Sequence, residues 1–440
     1  MARTRRTRNL TIIMVVSLRP VFWFLIGLAL SFTVWPGDAV SADIKALPSI
    51  AVSEEYNDNV FLTRYNKVDD YITSVIPAFT LDYKTPLWTW HLDLAYDFRY
   101  YAKRSETGDS TILANLNNHT ELVKNLFFID ILDTFTRASL DTARDWTTES
   151  TFVNVTRENI FTFNPYLVMR SESRYTPILG YKYVNTWYKD PTAIGTVDNI
   201  GYAEMITDLS SKVTFTTGVR FTQDTNDVQN YDQTVVYAGP KYTYAQNSFV
   251  YLLIGESFLN WTSGVPTGIF TYQCCYTTNH VIWDTGITHR YSTVTVAYQM
   301  KSDYIHDPTR VLRREDLYVG TVSKTDPRTT YQVSVGYYEY RNAQTNHLEN
   351  TTYGLTGFLT HVLSPTLTFH IVESIERLED YTVSPYTVIS LWHTGVSFDR
   401  IIRPDLTLNL EYEFTNSYCP ENYSDNYINN RFIVGLSKRF

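Results

Sequence analysis

The sequence predicts an all-β chain that closes into a single antiparallel transmembrane β-barrel of about twenty strands. Three observations lead there. Apolar and polar residues alternate with period two over segments of ten or more residues. Those segments recur roughly every 20 residues from about residue 48 to the end, and the connections between them alternate short and long. Ordinary globular strands run about five or six residues, whereas a tilted strand needs roughly 9–11 to cross a bilayer. Closure follows because hydrocarbon offers no partner for the N–H and C=O groups of an open edge.

The first element is an export signal, residues 1–42. Arg3, Arg5, Arg6, Arg8 and Arg19 precede the apolar run Val21–Val34, and Val40-Ser41-Ala42 supplies a small-residue cleavage site. That run is too short for an anchor, and no later one approaches the ~20 apolar residues of a helical span. Cleavage after Ala42 leaves residues 43–440 as the barrel, with 43–47 a short periplasmic lead-in. On that reading there is no room ahead of the first strand for a folded plug or for periplasmic repeats.

The strands follow. In Leu87–Tyr101 one face carries Trp88, Trp90, Leu92, Leu94, Tyr96, Phe98 and Tyr100, and the other His91, Asp93, Asp97 and Arg99. A helix would mix these sets. Val213–Thr222, Val294–Met300, Tyr331–Tyr337 and Asp405–Phe414 repeat the pattern. Tight turns are expected at 85–86, 125, 172, 210–211, 246–247, 290–292, 325–328, 364–365 and 403–404. Longer polar loops are expected at 57–69, 104–110, 140–152, 189–198, 224–230, 261–276, 304–313, 342–349, 378–385 and 416–427. These connections join twenty strands, with eighteen as the alternative where alternation weakens around 111–139. Short periplasmic turns opposite long extracellular loops are the layout of outer-membrane barrels. Tyr100-Tyr101, Trp187-Tyr188 and Tyr337-Tyr338 suit aromatic girdles at the two membrane interfaces.

Composition sets the remaining bounds. Lys and Arg number 37 against 46 Asp and Glu, a net charge of −9. Removal of the signal leaves 32 basic and 45 acidic residues, or −13. This balance, without a basic stripe, excludes a nucleic-acid partner. With 15% aromatic and only 19% charged residues the chain is not disordered. Cys274, Cys275 and Cys419 lack metal-type spacing. In an oxidising compartment Cys419 could bridge to one of the vicinal pair, or all three could stay unpaired in loops. No metal or cofactor is expected.

No G-x-S-x-G, H-E-x-x-H or P-loop occurs. The inward candidates His91, Asp93, Asp97, Arg99, Arg220, Glu411 and Glu413 read as lumen lining that biases the charge of whatever passes. His91 with Asp93 is also the one pair that could belong to a hydrolase site. Asp224–Asp232 offers Ca²⁺-type ligands but lacks the Gly and Glu of an EF-hand loop, so it reads as a solvated tip. Ile305–Arg314 is locally basic and could meet lipopolysaccharide phosphates or form a plain charged rim.

Two short stretches resemble known families. Phe432, Val434, Leu436 and the terminal Phe440 resemble the C-terminal signal that the barrel-assembly machinery reads, although Lys438 departs from its usual apolar third place. Ser53–Leu62, through Glu54-Glu55-Tyr56-Asn57-Asp58-Asn59, resembles the E-x-Y-N-D-N opening of an outer-membrane β-barrel porin family found beside exopolysaccharide and exosortase (PEP-CTERM) gene clusters. That resemblance covers about ten residues and implies a Gram-negative outer-membrane barrel, embedded in lipid and lipopolysaccharide and working with periplasmic polysaccharide-export components. It brings no catalytic residue. The expected function is therefore a porin-like channel, not an enzyme, for exopolysaccharide export or passage of small polar solutes. The alternatives are an enzyme with a lumen or loop site, and a non-conducting barrel that docks envelope partners.

Overall fold

The computed structural model describes residues 42–440 except 107, 109, 152, 171–173, 227, 263–276 and 423–424. The expected export segment, and Cys274 and Cys275 with any bridge they make, lie outside the described residues. Cys419 is buried with a free thiol.

Twenty strands follow in chain order: β1 (Asp43–Asn57), β2 (Asp70–Lys84), β3 (Trp88–Tyr101), β4 (Ser110–Val123), β5 (Phe127–Ser139), β6 (Val155–Val168) and β7 (Tyr175–Tyr188). Next come β8 (Thr196–Asp208), β9 (Val213–Asn226), β10 (Tyr231–Ala245), β11 (Ser248–Trp261), β12 (Thr277–Tyr291), β13 (Val294–Asp307) and β14 (Arg310–Thr325). The last six are β15 (Thr329–Asn342), β16 (Leu348–Ser364), β17 (Leu367–Asp380), β18 (Thr387–Arg403), β19 (Leu406–Tyr418) and β20 (Tyr427–Arg439). Each pairs antiparallel with the next, and β1 with β20 closes the ring from Ser49↔Arg439 to Asn57↔Arg431. Residues 43–47 pair with β2 alone, so β1 runs on past the closed ring.

Alternation decides which face is which. On β3, Leu94, Phe98 and Tyr100 stand exposed while Asp97 and Tyr101 are buried. Side chains that bond over an intervening strand mark the concave side. Arg137 of β5 reaches Asp97 of β3 at 3.1 Å, Tyr202 of β8 reaches Asn164 of β6 at 3.0 Å, and Tyr237 of β10 reaches Glu204 of β8 at 2.8 Å. The inner face is therefore polar and the outer one apolar, as lipid requires. Two inner tyrosines lie over glycines. A Cβ on Gly180 would meet the Tyr202 ring at 2.3 Å, and one on Gly218 would meet Tyr237 at 2.4 Å.

Period two also corrects the girdle expectation. Tyr100 and Trp187 face outward, but Tyr101 and Tyr188 are buried inward. Tyr337 stacks outside with Tyr318 and Tyr353, while Tyr338 turns in over Gly336. One ring of each pair can serve a girdle, since neighbours in a strand point to opposite faces.

The nine shorter connections, from β2–β3 to β18–β19, share one end of the barrel with the start of β1 and the end of β20. Asn125 and Asn247 sit there at φ 59° and 57°, a left-handed region that asparagine tolerates. The opposite, loop end carries the longest connections, among them 58–69 and 140–154, and the shortest there is β13–β14. The loop expected at 304–313 is instead a strand hairpin, with only residues 308 and 309 between β13 and β14.

Candidate functional site

A ring of twenty strands encloses more space than side chains can fill, since barrels of ~16–18 strands already leave an aqueous channel. At the loop end backbone enters that space. The β11–β12 ladder continues to Asn260↔Thr277 and the β13–β14 ladder to Asp307↔Arg310, but β12–β13 pairing stops at Trp283↔Ser302. Beyond Ser302 β13 parts from β12 and turns inward, while β14 stays paired with β15 as far as Arg313↔Asn342.

Both faces of the hairpin are consequently buried. On one, Leu312 packs with Tyr231, Leu259, Trp261 and Ala343, with Tyr304 against the cluster, a small apolar core inside the barrel. On the same face Arg314 meets His280 at 3.2 Å and Asp316 at 2.9 Å, and His306 meets Asp198 at 2.9 Å. The other face meets the β5–β6 loop. Ile305 packs on Ala143, Tyr340 and Leu378. Arg313, 2% exposed, donates to Asp307 at 3.1 Å, Glu349 at 3.1 Å and Thr142 at 2.9 Å, and also bonds Asn350. Thr142 in turn donates to Asp307 at 2.8 Å.

The β5–β6 loop, residues 140–154, is the second inserted piece. Asp145 caps a single 3₁₀ turn, Trp146–Thr148, by accepting from Thr147 N–H at 2.9 Å. Arg144 pairs with Glu149 at 2.9 Å, lies over the Trp146 ring at 3.7 Å and donates to Tyr427 of β20. Thr352 of β16 donates to the Ala143 carbonyl at 3.4 Å. The loop thus reaches from β5 across to β16 and β20. Burial raises the Glu149 carboxyl above the usual carboxylate range, outweighing Arg144, and burial likewise raises Asp141. A cavity of about 200 Å³ remains beneath the loop, lined by Ala143, Tyr338, Tyr340, Thr352 and Glu376.

The lumen-lining residues read from sequence fall into four places on the inner wall. His91 sits near the turn end, with Nδ1 at 2.7 Å from Asp82 and Nε2 at 2.8 Å from Asp93. Both ring nitrogens are taken by carboxylates, so neither is left to accept a proton from a nucleophile. Asp97 gathers Arg99 at 2.9 Å, Arg137 at 3.1 Å and Ser74 at 3.0 Å. Arg431 joins Glu413 to Glu55, the latter at 2.7 Å, and Glu411 precedes Glu413 on β19. Arg220 lies elsewhere, 3.7 Å from Asp303.

Two readings are corrected. Arg313 and Arg314 are buried inside the barrel, so the basic stretch 305–314 does not offer them to lipopolysaccharide. Asp224 is not on a solvated tip but on β9, 1% exposed. Sequence reasoning missed Thr142, Arg144, Glu149, Asp198, Asp307 and Glu349. One signal was available. Between 303 and 316 both alternating faces carry charge, Asp303, Asp307, Arg313 and Glu315 on one and His306, Arg314 and Asp316 on the other, which leaves no face fit for lipid.

Glu55–Asn59 lies at the closing seam. Tyr56 stacks outside on Tyr71, with centroids 5.1 Å apart. Asp58 accepts from Asn430 N–H and Nδ2, both at 2.7 Å, and Asn59 N–H bonds Asn57 Oδ1 at 2.9 Å. Asn59 Nδ2 donates to Thr63 O at 2.8 Å and Ile428 O at 3.0 Å. Phe432, Val434, Leu436 and Phe440 are all exposed.

No family model and no curated protein matches this chain. Solved structures do. The siderophore receptor PirA from Acinetobacter baumannii superposes with a TM-score of 0.53 at 8% identity, covering 92% of this chain and 81% of that one. The FrpB iron transporter from Neisseria meningitidis (F3-3 variant) gives 0.50 at 7% identity, over 90% and 82%. At such identity the likeness is one of fold, a large antiparallel transmembrane β-barrel.

Proposed function

We propose that the protein is an outer-membrane channel for polar solutes, gated at the cell-surface end by the inward-folded β13–β14 hairpin and the β5–β6 loop. The observation that carries this is the break in the β12–β13 ladder at Ser302, with the hairpin, tied to the wall through β15 alone, held inside by contacts to β10, β11 and the β5–β6 loop. Polar inner walls favour hydrated cargo, and the similar solved structures named above are a transporter and a receptor of the same fold.

Carbohydrate is the cargo class the wall suits best. Tyr202, Tyr237 and Tyr251 lie on the inner surface with their hydroxyls held by Asn164, Glu204 and Asp284. Such flat rings beside fixed amide and carboxylate groups match the apolar faces and hydroxyl edges of sugars. Export of an exopolysaccharide, as the E-x-Y-N-D-N resemblance implies, is the corresponding physiological reading. Both ask for an opening step, because the outer half is occupied at rest.

The test is conductance in planar bilayers, with wild type beside a variant lacking residues 141–153. Wild type should show small steps, the variant steps several-fold larger, and added oligosaccharide should interrupt the variant's current. A variant that folds yet conducts no more than wild type would overturn the gate. Silence from both would overturn the channel.

A further inference from the structure

We propose that Asp198, Asp224 and His306 bind a divalent cation of the zinc type, which fastens the hairpin tip to the β8–β9 wall. Asp198 on β8 and Asp224 on β9 are directly opposed in register. Both are buried, at 5% and 1% exposure. Asp224 Oδ1 accepts from Asn226 at 2.6 Å, and Asp198 Oδ2 is bonded to His306 Nε2 at 2.9 Å. Asp198 Oδ1 and Asp224 Oδ2 are buried and receive no hydrogen bond from the described residues. One ligand atom from each of the three side chains lies within 4.8 Å of the other two.

Two adjacent buried carboxylates repel each other and have lost their water. Arg220, the cation nearest along β9, is drawn instead toward Asp303. A bound cation answers both deficits, neutralising the pair and occupying the two bare oxygens. The donor set selects its kind. Ca²⁺ and Mg²⁺ prefer oxygen throughout, whereas an imidazole with two carboxylates suits zinc and its first-row neighbours. Three protein ligands leave a further position for water.

The ligands come from two pieces of structure, and that gives the site its consequence. Asp198 and Asp224 belong to paired wall strands, but His306 belongs to the stretch of β13 that has parted from β12. Metal bound across them stabilises the docked hairpin by mass action. Of the acidic stretch Asp224–Asp232, Asp224 alone takes part. The site stands whether or not the barrel conducts, since binding is read without current.

The experiment uses the full barrel, folded in detergent and stripped with chelator. It is titrated with Zn²⁺ by calorimetry and with Co²⁺ by visible absorption. Expected are one equivalent at micromolar affinity, a Co²⁺ spectrum that changes in H306Q, and affinity lowered about tenfold or more in H306Q and in D224N. Retained heat-dependent mobility on gels shows that each variant is folded. Wild type that binds no tighter than millimolar would overturn the proposal and leave a proton shared between the carboxylates. Binding that both folded variants leave unchanged would overturn it as adventitious. Should neither variant fold, the wild-type stoichiometry and Co²⁺ spectrum decide alone.

Discussion

The barrel's seam and the early end of its β12–β13 ladder are handled in opposite ways. At the seam, β1 and β20 are distant in sequence yet pair through Asn57↔Arg431, and Asp58 and Asn59 extend the join with side-chain bonds to Asn430 and Ile428. At β12–β13 the strands are consecutive, yet pairing ends at Trp283↔Ser302 although both strands continue. The seam replaces covalent continuity with extra hydrogen bonds. The break gives up hydrogen bonds and replaces them with contacts across the lumen. A join made of ladder bonds in hydrocarbon is permanent, because opening it strands N–H and C=O groups. A hairpin laddered on its β15 side only, and held on its β13 side by side chains, has a free edge that can swing.

The largest effect should come from Arg313. Replacing it by Ala leaves Asp307 and Glu349 buried without their common partner, which costs roughly 3–5 kcal/mol when one member of a buried pair is removed. That penalty falls on the docked state only. R313A should therefore show frequent large conductance steps and protease cleavage near residues 304–313, with the heat-stability of the barrel itself retained. Unchanged current together with a protease-resistant hairpin would show that the break is a fixed part of the wall.

The seam should respond in the reverse sense. Asn59 is fully buried and makes bonds to Thr63 and Ile428, so N59A forfeits about 1–3 kcal/mol through unsatisfied backbone groups. Its midpoint in urea should fall, and fewer molecules should reach the folded form, while conductance of the folded fraction matches wild type. If N59A instead opens the channel, seam and break are one cooperative unit.

Most of the wall was legible in the sequence, and most of the lumen filling was not. Period two carries the strands because each strand has one lipid face and one wet face. Turn chemistry carries the connections, down to Asn125 and Asn247. The hairpin escaped because it has neither face in lipid, so 304–313 reads as polar loop. Its partners lie 165 and 171 residues away in Thr142, a distance no local pattern encodes. His91 and Asp93 were legible as an inward pair, but Asp82, which takes the second ring nitrogen, comes from the neighbouring strand.

A smaller effect separates wall from gate. Gly218→Val places side chain where the Tyr237 ring now lies, an overpacking that costs about 1–3 kcal/mol. Tyr237 must then leave Glu204 and swing into the lumen. The barrel should still fold, with single-channel current reduced and sugar block weakened, but with the frequency of opening unaltered. A changed opening frequency would mean that the β8–β10 wall and the hairpin are coupled.

The smallest effect is a pH dependence of the gate. Glu149 and Asp141 both lie on the docked loop, and burial raises both carboxyls above their values in a released, solvated loop. A group held higher in the docked state binds its proton more tightly there, so docking is favoured by acid. Its contribution is fully present below the ordinary carboxylate range and is lost as pH rises through the raised values. Open probability should accordingly increase modestly from acidic to neutral pH, and E149Q, which keeps the shape without the titrating proton, should flatten that rise. Arg144 sets the limit of the effect, since its guanidinium at 2.9 Å offsets part of the cost of ionising Glu149. The seam carries no group of this kind on a detachable loop, so its stability should follow a different pH profile from the gate, and coincident profiles would argue that the barrel opens only by unfolding.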